Sequence, residues 1–451
     1  MAQAPKHLKI GVFLAGTGHH VASWRHPHAQ TDGSMNLAYF QQLAQTAERG
    51  KLDMLFLADS LSISPDSHPN VLARFEPFTL LSALSAVTSK IGLAATASTT
   101  YSEPFHIARQ FASLDHISNG RAAWNVVTSS IESTALNFSG EKHPEHSLRY
   151  QRAEEFVEVV KGLWDSWEDD ALIREQESGV FFDPAKLHEL QHRGEFFSVR
   201  GPLNVARPPQ GHPVIIQAGS SEPGQHLAAR TAEVIFTAQN NLPDAQAFYQ
   251  SVKAKVVSYG RSPDEVSIMP GIFPVLGNTE EAAQAKFQQL QELILPSVGL
   301  KILSSYLGGF DLTPYPLDGP LPDIDIPETN SVKSRFELVL NLARREKLTI
   351  RQLYQYIAGS RGHHIFVGTP EQLADEMEEW VQQGGCDGFN LMPPLLPEGL
   401  DVFVDEVVPL LQQRGLFRTE YEGNTLREHL GLKRPANRYT NRQANGTHVS
   451  S

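Results

Sequence analysis

Residues 91–129 read IGLAATASTTYSEPFHIARQFASLDHISNGRAAWNVVTS. Ile91–Ser98 is an apolar run with the length of a strand, Pro104–Ser118 reads as a helix, and Ala122–Thr128 as the next strand. Strand, helix, strand is the unit from which parallel sheets grow, because parallel neighbours need a long crossover between them.

The alternation extends outward on both sides. Upstream, Lys9–Ala15 (KIGVFLA) reads as a first strand. Asn36–Arg49 follows, with Leu37, Phe40, Leu43, Ala44 and Ala47 on one helical face and Gly50 as its stop. Met54–Asp59 (MLFLAD) is a second strand and Phe78–Ser89 a helix. Downstream, Phe156, Val159, Val160, Leu163 and Trp167 share one helical face. Val214–Gly219, Val234–Gln239 and Ser267–Leu276 read as three further strands. Thr369-Pro370-Glu371-Gln372 is a capping box with proline at the first helical position. The helix it opens would bury Leu373, Met377, Trp380 and Val381, with Gly384 and Gly385 at its end. Gly388–Met392 is then the last strand and Val404–Gln412 a last helix.

This gives eight short, nearly continuous apolar strands separated by helices, as a parallel sheet covered on both faces requires. Eight units predict a closed (β/α)₈ TIM barrel, with an open doubly wound sheet as the local-signal rival. One domain is expected over residues 1–432. Three stretches exceed an ordinary connection: Ser129–Tyr150, Asp170–His212 and an insertion at about 299–362. Such stretches form lids and binding loops, or packing and oligomer surface. Residues 433–451 read as a polar, disordered tail.

Composition narrows the function classes. The net charge of −13 argues against general nucleic-acid binding. No apolar run approaches the roughly 18 residues of a membrane span. Met1–Leu8 lacks the apolar core of a signal peptide. The lone cysteine, Cys386, excludes an intrachain disulfide and fits a reducing cytoplasm.

In a barrel of this kind the chemistry lies at the C-terminal ends of the strands. There the chain offers His19-His20 after strand one, Asp59-Ser60 after strand two, Thr96 and Ser98 on strand three, Asn125 and Thr128 on strand four, and Gly219-Ser220-Ser221 after strand five. Each has an ordinary alternative. Asp59 could cap a helix or a turn. Ser220-Ser221 could cap the next helix, although a helix N-terminus with glycine and serines also cradles phosphate. The pair His26 and His28 resembles a metal HxH, but it stands about ten residues beyond its strand and the last strand ends without a carboxylate, so no catalytic metal is expected. His363-His364 has no HExxH context. No GxSxG, Rossmann glycine fingerprint or Walker sequence is present.

Five stretches then carry a resemblance: AERGKLDMLFLADS (47–60), the opening stretch 91–129, EHSLRYQRAEEFVEVVKGLWDSW (145–167), FFSVRGPLNVARPPQGHPVIIQAGSSEPG (196–224) and LFRTEYEGNTLREHLGL (416–432). In this order the chain resembles the bacterial-luciferase-like flavin monooxygenases, in the branch with nitrilotriacetate monooxygenase, dibenzothiophene-sulfone monooxygenase and pristinamycin synthase. The resemblance implies a luciferase-type barrel with FMN as a dissociable substrate. Asp59 and Thr96 would face the flavin, with Asn125 and Thr128 near its ring system. His146 and Tyr150, from the loop before the fourth helix, and Ser220 with Ser221 would hold its phosphate. His20 would be the proton donor or hydrogen-bond partner near the reacting oxygen. Tyr306 stands where some relatives carry histidine.

The resemblance further implies reduced FMN (FMNH₂) supplied by a separate NAD(P)H:FMN reductase, O₂ as co-substrate, and oxidation of a small organic molecule with C–N or C–S cleavage. It implies a cytoplasmic homodimer or homotetramer, without nucleic-acid or membrane partners. Arg25, His26 and His28 could meet a substrate carboxylate or form a solvated turn. The competing readings are a deazaflavin (F420)-dependent oxidoreductase on the same barrel, a non-catalytic flavin-binding protein and a metal hydrolase.

Overall fold

The computed structural model describes residues 7–65, 67–324, 339–340, 343–360 and 362–440. The strands of the main sheet are β1 (Lys9–Phe13), β2 (Met54–Leu57), β3 (Gly92–Ser98), β4 (Ala122–Val127), β5 (Val214–Gln217), β6 (Val234–Thr237), β7 (Ser267–Leu276), β8 (His364–Gly368) and β9 (Gly388–Leu391). All their pairings are parallel. β1 to β7 follow in order, β7 pairs with β9, and β9 pairs with β1, which closes the ring. The eight barrel strands expected from the sequence are these, without β8.

β8 is the one strand of this sheet that the sequence pattern did not show, and a short antiparallel pair outside it, His192–Arg193 with Ser198–Val199, was not expected either. β7 is ten residues long and is used twice. Ser267–Pro270 pairs with β6, while Ile272–Leu276 pairs with β8. The Gly277 amide donates to Gly368 O at 3.1 Å, so the end of β8 lies beside the point where the chain leaves β7. Between these residues lie α7 (Glu280–Glu292), α8 (Pro296–Tyr306) and α9 (Ile350–Ser360). The insertion is therefore wider than the expected 299–362. It has its own apolar cluster, in which Leu303, Leu307, Leu353 and Tyr354 pack with Val21 and Ala22 of the loop after β1. Residues 325–338, 341–342 and 361 lie outside the described part.

The helices between the barrel strands are α1 (Leu37–Arg49), α2 (Pro77–Ser85), α3 (Pro104–Ile117), α4 (His146–Trp164), α5 (Glu222–Thr231) and α6 (Leu242–Ser258), with α10 (Pro370–Gln382) before β9. The Thr369 capping box is formed as its residues require. α4 departs from expectation. It begins at His146 and ends at Trp164, so His146 and Tyr150 belong to the start of the helix rather than to the loop before it. The helical stretch Glu398–Gln413 contains a π-helical segment, Phe403–Val407.

Inside the ring, Met54, Phe56, Ala94, Ala123, Val214, Ile216, Val234 and Met269 form a buried column. The C-terminal segment seals its lower end, where Leu426 and Leu430 join the same cluster. A side chain at Gly92 would meet Leu426 Cδ1 at 2.6 Å, so only glycine admits the plug here. Buried ion pairs fasten it: Arg418 to Asp53 at 2.6 Å and Arg427 to Glu233 at 2.6 Å. The tail expected from residue 433 needs correction for its described part. Arg207 donates to Pro435 O at 2.7 Å, and buried Asn437 donates to Asp165 O and Trp167 O at 3.0 Å each. Paired polar groups, not apolar bulk, hold residues 433–440 in place, which is why a reading by hydrophobicity passed over them. Residues 441–451 lie outside the described part.

Leu426→Ala is expected to lower stability by about 2–5 kcal/mol, as buried leucine truncations do, read by urea denaturation. Burial, then the nearby Arg418 charge, push the His429 imidazole down to about 4 from its ordinary 6.5. The unfolded chain then binds more protons than the native state between these two values, so stability falls as pH drops through that window. Denaturation at pH 5 and pH 7 should show a smaller loss for His429→Gln than for the unsubstituted protein.

Candidate active site

Because the barrel strands are parallel, the ends of β2, β3, β4 and β5 open to the same side. A cleft of about 410 Å³ lies there. Asp59, Thr96, Thr128, Tyr150, Ser220 and Ser221 line it, with Ser98, Ser129, Ser130, Thr134 and Gln217. Six of the nine residues singled out in the sequence thus meet in one cavity. The other three have different places.

Asn125 stands directly behind the lining. It is opposite Thr96 in the β3–β4 register and donates from Nδ2 to Thr96 Oγ1 at 2.8 Å. Its Oδ1 is buried and has no hydrogen-bond partner, and the same holds for Gln217 Oε1 at the end of β5. An unpartnered buried acceptor is costly, so two of them at one cleft mark a place for a ligand that donates.

Asp59 caps no helix. Its Oδ1 accepts from the Ser60 amide at 2.8 Å and from Arg74 Nη2 at 3.3 Å. The turn reading of Asp59 is therefore partly right, since it folds onto its own neighbour while also lining the cleft. Ser221 also has both roles. It is the N-cap of α5, accepting from the Gly224 amide at 3.3 Å, and its hydroxyl lies 3.4 Å from the Tyr150 hydroxyl. Ser220 is exposed beside it. A Cβ at Gly219 would stand 3.1 Å from Gly224 Cα, so the glycines keep this helix N-terminus open. His146 is the first residue of α4, exposed, with its ring 4.9 Å from that of Tyr150.

His20 lies outside the cleft lining. It is fully buried beneath the insertion, 3.4 Å from Gln291 Oε1, and its ring faces Phe273. Burial pushes its pKa down to about 4. At neutral pH it is uncharged, which counts against the proton-donor half of the expected role and leaves the hydrogen-bond-partner half. Its position ties the loop after β1 to α7. Arg25 donates to Leu293 O, and His26 and His28 form a surface turn. Among the described residues no three His, Cys, Asp or Glu are grouped to hold a metal ion. None of the described helices is long and apolar enough to cross a membrane.

The other side of the barrel mouth is aromatic. Phe236 packs on Phe13 and Phe56 at 6.0 and 5.4 Å and stacks on His363 at 5.2 Å, while His19 lies edge-on to Phe13. Gln217 was legible as the polar end of VIIQ. Ser129 was legible with Thr128 as the polar end of the fourth strand, whereas Ser130 and Thr134 carry no local signal, because only the fold returns their loop to the cleft.

The donor set fits FMN. The α5 N-terminus, Ser220, Ser221 and Tyr150 offer N–H and O–H groups to a phosphate, and Asn125, Gln217 and Asp59 offer acceptors to ring N–H groups. The luciferase-like monooxygenase family model matches residues 17–387. An N-acetyl-S-(2-succino)cysteine monooxygenase of Bacillus subtilis (strain 168) is 74% identical over 97% of this chain and 100% of the relative. Nitrilotriacetate monooxygenase component A of Aminobacter aminovorans is 52% identical over 96% of this chain and 98% of the relative. Among solved structures, a riboflavin lyase with modified FMN and substrate riboflavin superposes with a TM-score of 0.83 at 34% identity, covering 95% of this chain and 97% of that one. A coenzyme F420-dependent tetrahydromethanopterin reductase from Methanopyrus kandleri, at 14% identity and a TM-score of 0.57, shares the fold alone.

The two serines separate by their roles. Ser221→Ala should cost about 1 kcal/mol of stability as a lost helix cap. Ser220→Ala should leave stability within about 0.5 kcal/mol, as a surface change does. Urea denaturation of the two variants checks both.

Proposed function

The chain belongs to the luciferase-like monooxygenase family, and on that footing we propose that it uses FMNH₂ and O₂ to oxidise a small carboxylated thioether, with cleavage of a C–S bond. It is a flavin-dependent monooxygenase of the two-component type, in which a separate reductase component supplies the reduced flavin. The substrate class rests on the 74% identity, nearly end to end, with a monooxygenase named for N-acetyl-S-(2-succino)cysteine. That molecule is an S-substituted cysteine: one oxygen atom placed on the carbon that bears its sulfur gives a hemithioketal, which breaks the C–S bond by releasing a thiol and leaving a ketone, while the other oxygen atom leaves as water.

One observation carries the flavin assignment. A single cleft is lined by a helix N-terminus with hydroxyl groups and by Gln217, whose buried amide oxygen is unpartnered, as is that of Asn125 directly behind the lining. When bound, reduced FMN supplies the electrons that activate O₂.

The protein's contribution is position and exclusion. The α5 N-terminus, Ser220 and Ser221 receive the phosphate, where N–H groups and the helix dipole favour negative charge. Tyr150 donates from the facing helix, and His146 stands beside it. Asp59, Asn125 and Gln217 accept from the ring, and Thr96 and Thr128 complete its surroundings. The aromatic half of the mouth, built on Phe13, Phe56 and Phe236, keeps water from the reacting face, which favours oxygen transfer over loss of the activated oxygen to solvent. No dinucleotide fingerprint accompanies the barrel, in keeping with hydride chemistry on another protein.

The test is a coupled assay with an FMN reductase. N-acetyl-S-(2-succino)cysteine, nitrilotriacetate and dibenzothiophene sulfone are offered in turn, and product is scored against H₂O₂. Thioether cleavage that requires reductase and O₂ is expected. Turnover of nitrilotriacetate alone would overturn the substrate class. Asp59→Ala and Ser220→Ala should each weaken FMNH₂ binding about tenfold, the equivalent of about 1.4 kcal/mol, in a folded protein. Unchanged affinity in both would sink the cofactor assignment.

A further inference from the structure

One wall of the cleft is not part of the barrel. The chain leaves β4 at Ser129, where φ is 54°, and joins α4 at His146. The loop between them gives Ser129, Ser130, Ile131 and Thr134 to the lining. Its own packing is thin. Of residues 129–145 only Thr134 and Ala135 are buried, while Ile131, Leu136 and Phe138 are exposed.

Side-chain ties to neighbouring loops hold it instead. Ser133 Oγ lies 2.6 Å from Ser62 Oγ, and Asn137 Nδ2 donates to Leu61 O at 2.8 Å, both on the loop after β2. At the end of β3, Ser98 Oγ lies 2.8 Å from Ser129 Oγ. The largest tie is Tyr101. Its ring stacks on Phe138 at 4.9 Å and on His143 at 5.9 Å, and its hydroxyl is 2.6 Å from His143 Nδ1.

A segment with few buried contacts opens at lower free energy than the core to which it is tied. A flavin that arrives from another protein and leaves after each turnover needs such a wall. Resting on the flavin reading above, we propose that the loop Ser129–Glu145 is the gate of the flavin cleft and that Tyr101 is the positioning residue that latches it. Tyr101 does not line the cleft, so it acts on the flavin only through the loop. Its phenol and ring provide separable ties: the hydroxyl bonds His143, and the ring stacks on Phe138 and His143.

Three variants and two measurements test this. In the protein without flavin, amide hydrogen exchange is followed over residues 131–145 and, as a control, over β3 and β4. In the protein given dithionite-reduced FMN, capture and release are followed by stopped flow. Tyr101→Phe keeps the stack and should speed loop exchange and release about threefold, as expected for one hydrogen bond; Tyr101→Ala loses both ties and should speed them about tenfold or more. β3 and β4 should not change in either. The double variant Ser62→Cys, Ser133→Cys puts two thiols where the hydroxyls now touch, within reach of a disulfide, and the one natural cysteine is buried. Oxidised, it should capture and release FMN about tenfold more slowly, with dithiothreitol restoring both rates. Equal rates in its oxidised and reduced forms would overturn the gate. Loop exchange unchanged in Tyr101→Ala would overturn the latch, and this readout needs no flavin. Failure of the unsubstituted protein to bind FMN would overturn the cofactor reading and, with it, the gate.

Discussion

The parallel pairing of β9 with β1 is the contact on which the rest of the molecule depends. It turns a sheet with two exposed edges into a ring with none. A ring of eight strands has an interior that side chains alone can fill, and here Met54, Ala94, Ala123, Val214 and Val234 fill it. Polar chemistry is thereby confined to the two ends. The lower end is sealed by Leu426 and Leu430 and fastened by Arg418 and Arg427. Only the end where β2 to β5 finish remains for a site.

That end is divided by composition. On the side of β2 to β5 the groups are hydroxyls, amides and one carboxylate, with a helix N-terminus among them. On the side of β1 and β6, joined by Phe56 of β2, they are aromatic rings under two histidines. A flavin has the same two-sided character, with a charged phosphate, a ring edge that hydrogen-bonds and a reacting face that must stay dry. The barrel sorts these demands by strand number.

Most of the ring was legible in the sequence because its signals are local. Each barrel strand is a short apolar run, and each following helix carries a periodic face and, in several cases, a cap. Asp59, Thr96, Asn125, Thr128 and Ser220 could be found because a strand end is a position that sequence reveals. β8 could not, since HIFVG is only five residues long, follows a long irregular stretch and owes its existence to the free upper half of β7. The start of α4 was missed because Glu145 gives it no side-chain cap and the helix's buried face begins farther on. His20 misled for the opposite reason. Its position in the chain suited an acid at the mouth, but whether a histidine is wet or dry is decided by what packs over it, here α7. Residues 433–440 are held by buried polar pairs that no hydropathy pattern contains.

The hydrogen bond from Gly277 to Gly368 has a consequence for how such a chain could change over time. The helices of this excursion lie between Gly277 and β8, and β8 pairs with β7 alone among the described strands, so the helices themselves lie outside the ladder of the ring. Helices there could be lengthened, shortened or exchanged whole without shifting the register of any barrel strand. The cofactor half of the mouth, built from β2 to β5, would be inherited intact through every such exchange. A lineage with this junction has a socket: one oxygen-activating chassis that accepts different covers, and with them different molecules to oxidise.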